Sequence, residues 1–191
     1  MKKNSENKNK LNLKNNKENI TIISGIIILI LIIILFLKLV VFTSNSFASI
    51  KYQVYTKNKG TSSFKKDGEI IETKNPIVGL KILISGKYDG VVYYDISNEF
   101  ESKRCYNDDI CNLEQKVEKI SFNLTDTLKK KYDIYYKVYY GDKWSKWAHN
   151  SEEVGKKEKG ITKIKIKLVP KNAYLGDYLE GYDDEVMNNE K

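Results

Sequence analysis

The stretch ITKIKIKLV, residues 161–169, alternates apolar and polar side chains along most of its length. In a strand, Ile164, Ile166 and Leu168 would face one side and the intervening lysines the other. β-Branched residues at alternate positions are typical of a strand that covers a core on one face only. The stretch therefore predicts an amphipathic β-strand with a solvated lysine face.

Five other segments show the same alternation, and they recur at a regular spacing: residues 50–56, 80–84, 91–96, 120–124 and 134–140. Opening triplets recur about every 42 residues, at Ile50/Tyr52/Val54, Val92/Tyr94/Ile96 and Ile134/Tyr136/Val138. Closing triplets follow them, at Leu80/Ile82/Ile84, Ile120/Phe122/Leu124 and Ile164/Ile166/Leu168. A period of this size predicts three repeated units over residues 49–170, with chance alternation in a β-rich chain as the alternative.

The third unit also carries an aromatic motif. It reads IYYKVYYGDKWSKWAHN from residue 134 and ends on the strand ITKIKIKL. This pattern resembles the ChW repeat, a module named "clostridial hydrophobic with conserved tryptophan". Trp144 falls on the characteristic tryptophan of that module, and Trp147 falls on its second aromatic position.

The other two units resemble the ChW repeat in fewer positions. The first unit keeps Phe64 and an Asp-Gly turn, but Thr61 stands where the tryptophan belongs. The second unit keeps its strands, and the segment from Cys105 to Cys111 takes the place of the turn region. The resemblance implies an all-β, extracellular surface module that binds a macromolecule or a glycan.

Three units of this size favour a closed three-fold arrangement, in which no unit leaves its apolar face exposed. We expect an all-β, three-fold pseudo-symmetric β-prism-like domain, with a β-trefoil as the alternative. The prism is preferred because each unit holds about four short segments and ends in a long amphipathic strand.

The segment 20–42 predicts one N-terminal transmembrane helix. No charge occurs from Ile20 to Leu37, and Lys38 is followed by further apolar residues. As a helix the segment would extend about 34 Å, enough to cross a hydrocarbon core of about 30 Å. A buried core helix or strand is the alternative. It is the weaker one, because a core helix is rarely apolar on every face.

Residues 1–19 form a polar, lysine-rich tail that we expect to be disordered and cytoplasmic by the positive-inside rule. The chain is then a single-pass cell-membrane protein with its C-terminal domain outside. Cleavage of a signal peptide after Ala48, with Ser46 two positions earlier, is the alternative and would give a secreted protein.

The formal net charge of +8 is unevenly distributed along the chain. A basic exterior domain favours anionic partners such as wall polymers or acidic glycans, while a solvated surface without a partner is the alternative. No nucleic-acid partner is expected. Residues 171–191 form an acidic C-terminal tail that either docks on the domain or, as we prefer, hangs free and disordered.

Two groups of side chains are candidate sites. Cys105 and Cys111 are the only cysteines, and outside the cell such a pair closes a small disulfide loop, with free thiols or a metal site as alternatives. An aromatic platform for sugar rings, the candidate ligand-binding site, would combine four residues: Trp144, Trp147, Tyr139 and Tyr140. The competing interpretation is that one tryptophan lies in the core and the other packs on its neighbours.

No constellation of catalytic residues is evident, and no cofactor or metal site is expected. His149 is the only histidine and lacks a nucleophile in a recognisable motif. Asp108 and Asp109 are adjacent, which is typical of a turn rather than of two carboxylates across a cleft. The sequence therefore predicts a surface binding or adhesion protein and not an enzyme. A structural or assembly subunit that contacts another envelope protein through its tyrosine-rich strands is the alternative. The expected partner is a cell-wall or host glycan or a surface protein.

Overall fold

A computed structural model describes residues 24–38, 47–58 and 60–182 of the chain. Residues 24–38 form helix α1, and their side chains are exposed. The predicted tail 1–19 and both ends of the predicted span 20–42 lie outside the described residues. Within the described ranges, no helix combines the length and the apolar character needed to cross a bilayer.

The chain divides into two compact units, 1–46 and 47–191, and the second of these is the β-domain. Its first repeat contains β1 (Ser49–Thr56), β2 (Gly60–Thr61), β3 (Lys65–Lys66), β4 (Ile71–Glu72) and β5 (Ile77–Ser85). Its second repeat contains β6 (Val92–Ser97), β7 (Ser102–Tyr106), β8 (Ile110–Asn112) and β9 (Lys119–Leu124). Helix α2 (Asp126–Lys131) precedes the third repeat, which contains β10 (Tyr132–Tyr140), β11 (Lys143–Trp144), β12 (Ala148–His149), β13 (Val154–Gly155) and β14 (Ile161–Pro170).

Three antiparallel sheets make up the β-domain, and each is built on one long pair of strands. The pairs are β1 with β5, β6 with β9, and β10 with β14. These are the six alternating segments of the sequence, and each of them is a strand, as predicted. The all-β character of the domain is confirmed with them.

Each sheet is completed by a short strand from the next repeat. Strand β8 of the second repeat pairs with β5 of the first, and β13 of the third repeat pairs with β9 of the second. Strand β4 of the first repeat pairs with β14 of the third, which closes the cycle. The described strands stay in three separate sheets and form no closed barrel, such as a β-trefoil requires.

The inner faces of the three sheets share a single apolar core. Its largest side chains include Tyr52, Tyr94 and Tyr136, which occupy the middle of the three opening triplets and are each 0% exposed. Small strands bury little area alone, and burying three inner faces in one core stabilises all of them together.

The C-terminal segment differs from the expected free tail over its described part. After β14, a 3₁₀ turn at Leu175–Asp177 leads to Leu179, which is buried with Tyr135, Trp147 and Val169 on the outer face of β10 and β14. The segment thus docks on the domain as far as residue 182, and residues 183–191 lie outside the described ranges.

The predicted lysine face of β14 is therefore partly covered rather than solvated. The side chain of Lys165 is only 12% exposed, and its ammonium group lies 3.1 Å from the Glu180 carboxylate. The Lys167 ammonium group donates to the backbone carbonyl of Tyr178 at 2.7 Å. The alternation along the strand is as predicted, and the docked segment accounts for the difference in exposure.

Candidate functional site

A seven-residue turn recurs once per repeat, and it joins each repeat to the one before it. The three copies are KKDGEII (65–71), CYNDDIC (105–111) and AHNSEEV (148–154). Their fourth residues, Gly68, Asp108 and Ser151, adopt left-handed φ angles of 78°, 71° and 71°. Glycine and aspartate tolerate this region more readily than most residues, which suits the position.

The fifth residue of every turn is an acid that closes the turn with its own side chain. Glu69 accepts a hydrogen bond from the backbone N–H of Lys66 at 2.7 Å. Asp109 and Glu152 likewise accept from the backbone N–H three residues earlier in their own turns, both at 2.9 Å. The predicted turn at Asp108-Asp109 is thus present, and the acid at its fifth position has a local structural role.

The left-handed residue of each turn donates its backbone N–H to the closing strand of the preceding repeat. Three equivalent bonds result: Gly68 to the Ile166 carbonyl (2.8 Å), Asp108 to Ile82 (2.8 Å) and Ser151 to Phe122 (2.6 Å). Each short strand that pairs with the preceding repeat is therefore led by a turn that bonds to the same closing strand.

The three buried tyrosines reinforce the same junctions. The Tyr52 hydroxyl donates to the Glu69 carbonyl of its own turn and accepts from the backbone N–H of Ile166 at 3.1 Å. The Tyr94 hydroxyl lies 3.0 Å from the Asp109 carbonyl and 3.1 Å from the Leu80 carbonyl of the preceding repeat. Burial raises the pKa of both hydroxyls well above the usual range of tyrosine.

Cys105 and Cys111 occupy the first and last positions of the second turn and form a disulfide, with a Cα–Cα distance of 5.9 Å. Cys105 lies on β7 in one sheet and Cys111 on β8 in the neighbouring sheet. The equivalent pair in the third repeat is Ala148 and Val154. The disulfide therefore takes the place of a noncovalent pair at a junction between two repeats.

The outer face of the third repeat brings together three of the four residues of the predicted aromatic platform. The rings of Tyr139 and Trp144 meet edge to face, with their centroids 5.7 Å apart. The Lys137 ammonium group lies 5.5 Å from the Trp144 ring centroid and 4.7 Å from that of Trp147. Lysines over aromatic faces are stabilised by the ring quadrupole, which orders this surface.

Tyr140 does not belong to this face. It packs against the common core, because successive residues of a strand point to opposite faces and Tyr140 follows Tyr139 directly. The predicted group of four is thus divided between the two sides of the sheet.

Trp147 is covered by the docked C-terminal segment. The residue is 9% exposed, and its indole N–H donates to the Glu180 carbonyl at 3.2 Å. Trp144, in contrast, remains half-buried beside Tyr139. The open part of the face is therefore centred on Trp144 and Tyr139, and Lys163 lies 4.8 Å from the Tyr139 ring centroid at its edge.

His149 has a structural environment. Its ring stacks on Tyr135 with a centroid distance of 5.4 Å, and Nδ1 lies 3.0 Å from the Glu152 carboxylate. Among the described residues, no three histidine, cysteine, aspartate or glutamate side chains converge as metal ligands.

Sequence reasoning missed the repeated acid and the cover over Trp147. The acids Glu69, Asp109 and Glu152 could have been found by aligning the three turns without gaps on their fifth position.

No known protein-family model, curated protein or solved structure matches the chain.

Proposed function

We propose that the chain is a membrane-anchored surface protein whose β-domain binds a glycan or another macromolecule without catalysis. The observation that carries this proposal is the open aromatic face at Trp144 and Tyr139, with lysines at its edge. Flat apolar faces of sugar rings stack on such side chains, and neighbouring lysines suit acidic groups on a glycan. Trp144 is also the residue that falls on the characteristic position of the ChW repeat.

We further infer that the three sheets form a β-prism-like arrangement with three-fold pseudo-symmetry. The cyclic exchange of β4, β8 and β13, together with the equivalent tyrosine and turn bonds at the junctions, supports this arrangement. In such a scaffold the inner faces serve stability, and the outer faces and loops remain for binding.

An external location for the β-domain fits the chemistry of its cysteines. A disulfide persists in an oxidising compartment and is rare in the reducing cytosol. The apolar segment 20–42 would then anchor the chain, with the lysine-rich residues 1–19 on the cytoplasmic side. The mass of the protein in washed membranes tests this placement. A chain that begins at Ser49 would show cleavage after Ala48 and a secreted or released form.

The binding proposal is tested by titrating the β-domain, residues 47–191, with neutral and acidic glycans while tryptophan fluorescence is recorded. This unit has its own core and is compact by itself. We expect a saturable change in the fluorescence of the native domain. In calorimetric titration, which needs no fluorophore, binding should be lost in Trp144→Ala and kept in Trp144→Phe. An unchanged spectrum with every glycan would contradict the proposal.

A second candidate function is an assembly role, in which the domain contacts another envelope protein. Phe64 occupies the position equivalent to Trp147 but is 40% exposed, so the first repeat presents an aromatic side chain that the C-terminal segment does not cover. Pull-down from surface-exposed cells with the β-domain separates the two functions. One membrane protein in the bound fraction, lost in Phe64→Ser, favours assembly, whereas polysaccharide favours glycan binding.

A further inference from the structure

All the long strand pairs run between the same two ends of the β-domain. The chain enters at Ser49, the first residue of β1, which is paired with Ser85 at the end of β5. The Tyr132 hydroxyl at the start of β10 accepts a hydrogen bond from the backbone N–H of Ala48 at 3.1 Å. Helix α2, directly before β10, therefore lies at this entry end.

The loops that precede the closing strands meet at the opposite end. The backbone N–H of Val117 donates to the Ile77 carbonyl at 2.7 Å, and that of Ile161 donates to the Val117 carbonyl at 3.0 Å. A Cβ atom added to Gly160 would lie 2.7 Å from Pro76, which shows how closely these loops approach. Three equivalent loops thus lie side by side at this end: residues 73–76, 113–116 and 156–160.

Clefts between these loops are bordered by lysines. One cleft of about 290 Å³ has lysines at three of its six lining positions, together with a single carboxylate: Tyr140, Gly141, Asp142, Lys143, Lys156 and Lys159. A second cleft of about 430 Å³ beside Pro76 has Lys57 and Lys116 on its walls. A third, of about 280 Å³, includes Lys74 and also Glu72, whose carboxylate is paired with Lys163.

Five of these lysines form what we call the lysine pole: Lys57, Lys74, Lys143, Lys156 and Lys159. In the described part of the chain, their ammonium groups make no hydrogen bond or ion pair. Several lysines on the sheet faces, by contrast, are paired with acids, as in Lys81 with Asp108 at 2.6 Å and Lys163 with Glu72 at 2.8 Å. The pole therefore holds five lysines without a direct ion pair, and the acids of the same loops, Glu114, Asp142 and Glu158, offset only part of their charge.

We propose that the lysine pole binds an anionic carbohydrate polymer with regularly spaced phosphate, sulfate or carboxylate groups. Like charges held close together repel each other, and a polymer relieves that repulsion at several lysines at once. A small anion would meet only one of the three clefts. This inference rests on the proposed function. It adds the class of the ligand, and it places the charged groups of the ligand away from Trp144.

A polysaccharide fits the pole better than a nucleic acid does. Single-stranded nucleic acids bind basic grooves that also offer aromatic rings on which successive bases stack. Tyr140 is the one aromatic residue in the lining of the three clefts, and it packs into the core. Phosphate groups on a sugar or polyol backbone require only the charges.

The test measures binding of the full chain in detergent to immobilised glycerol-phosphate teichoic acid and to heparin, at low and high salt. The two polymers distinguish phosphate from sulfate and carboxylate as the recognised group. We expect binding to at least one of them, weakened by salt. The variant Lys143→Glu/Lys156→Glu/Lys159→Glu should bind roughly 100-fold less well, since each lost contact is worth about fivefold at the dielectric constant of water.

The matched control places the same change of charge at the entry end, in Lys129→Glu/Lys130→Glu/Lys131→Glu. These three lysines form the exposed last turn of α2, and the variant should bind within about threefold of the native chain because screening isolates distant charges. An equal loss in both variants, no binding to either polymer, or tighter binding of a DNA oligonucleotide would overturn the inference. If the inference fails but neutral glycans still change the tryptophan fluorescence of the β-domain, the proposed function remains intact.

Discussion

Replacing Tyr52 by phenylalanine removes one hydroxyl from the junction between the first and third repeats. In the native domain, that hydroxyl links the Glu69 carbonyl to the backbone N–H of Ile166, and Tyr52 is 0% exposed. Tyr52→Phe therefore leaves the buried N–H of Ile166 without a partner and also removes the partly buried bond to the Glu69 carbonyl. A buried polar group without a partner costs about 1–3 kcal/mol, so we expect the free energy of unfolding to fall by about 2–4 kcal/mol.

Thermal and urea unfolding of the β-domain measure this loss. At about 3–4 °C per kcal/mol for a domain of this size, the Tm should fall by roughly 7–14 °C. The control is Tyr106→Phe, because Tyr106 is 50% exposed and its hydroxyl is free to bond water. We expect that variant to unfold within about 0.5 kcal/mol of the native domain. Equal stability of Tyr52→Phe and Tyr106→Phe would refute the reasoning.

The buried Tyr52 hydroxyl should also make the free energy of unfolding depend on pH in the alkaline range. Burial raises the pKa of Tyr52 above its unfolded value of 10.0, so the folded domain favours the protonated phenol. This contribution is complete below about pH 10 and is lost as the pH rises further. The urea midpoint of the native domain should therefore fall above pH 10, and that of Tyr52→Phe should fall less steeply.

Three further variants test other parts of the fold. Asp67→Asn should stabilise the domain by about 0.5–1 kcal/mol at pH 7, because burial raises the pKa of this carboxyl and the other repeats carry asparagine there. The gain in stability should shrink toward pH 3, where the native acid is protonated. A destabilised variant would contradict this. Cys105→Ala/Cys111→Val should still fold but lose about 2 kcal/mol in urea unfolding, since the third repeat has that apolar pair; complete unfolding would show that the disulfide is essential. Deleting residues 171–191 should shift tryptophan emission to longer wavelength by exposing Trp147, and an unchanged spectrum would place Trp147 elsewhere.

The strands could be predicted because period-2 alternation is a direct consequence of one-sided burial. The equal spacing of Tyr52, Tyr94 and Tyr136 also pointed to equivalent positions, and all three side chains are buried in the common core. These inferences required only local pattern and regular spacing.

The exchange of β4, β8 and β13 could not be predicted in the same way. These strands have only two or three residues, too few to show a period, and their partners lie in another repeat. The acids at the fifth position of the turns vary between aspartate and glutamate, so no constant residue marks that position in the sequence. Their shared role follows from the backbone bonds that they make, which the sequence does not display.

The candidate site was predicted only in part, because burial of Trp147 depends on a segment more than twenty residues further along the chain. Leu179 and the tyrosines around it are interrupted by Gly176 and Gly181, which argued against a regular docking helix. The segment docks through a short 3₁₀ turn instead, and the lysines of β14 bind its carbonyl and carboxylate groups.

The closed cycle of three repeats is tested most directly by a disulfide between β4 and β14. Glu72 is paired with Lys163 across these strands, and the neighbouring Thr73 donates its N–H to the Thr162 carbonyl at 2.9 Å. Glu72 and Lys163 thus form the closer, non-hydrogen-bonded kind of antiparallel pair, which suits a disulfide. After mild oxidation of Glu72→Cys/Lys163→Cys, peptide mapping should find the first and third repeats linked. The control Glu72→Cys/Lys167→Cys should remain unlinked. Linkage in the control alone, or in neither variant, would contradict the closure of the cycle.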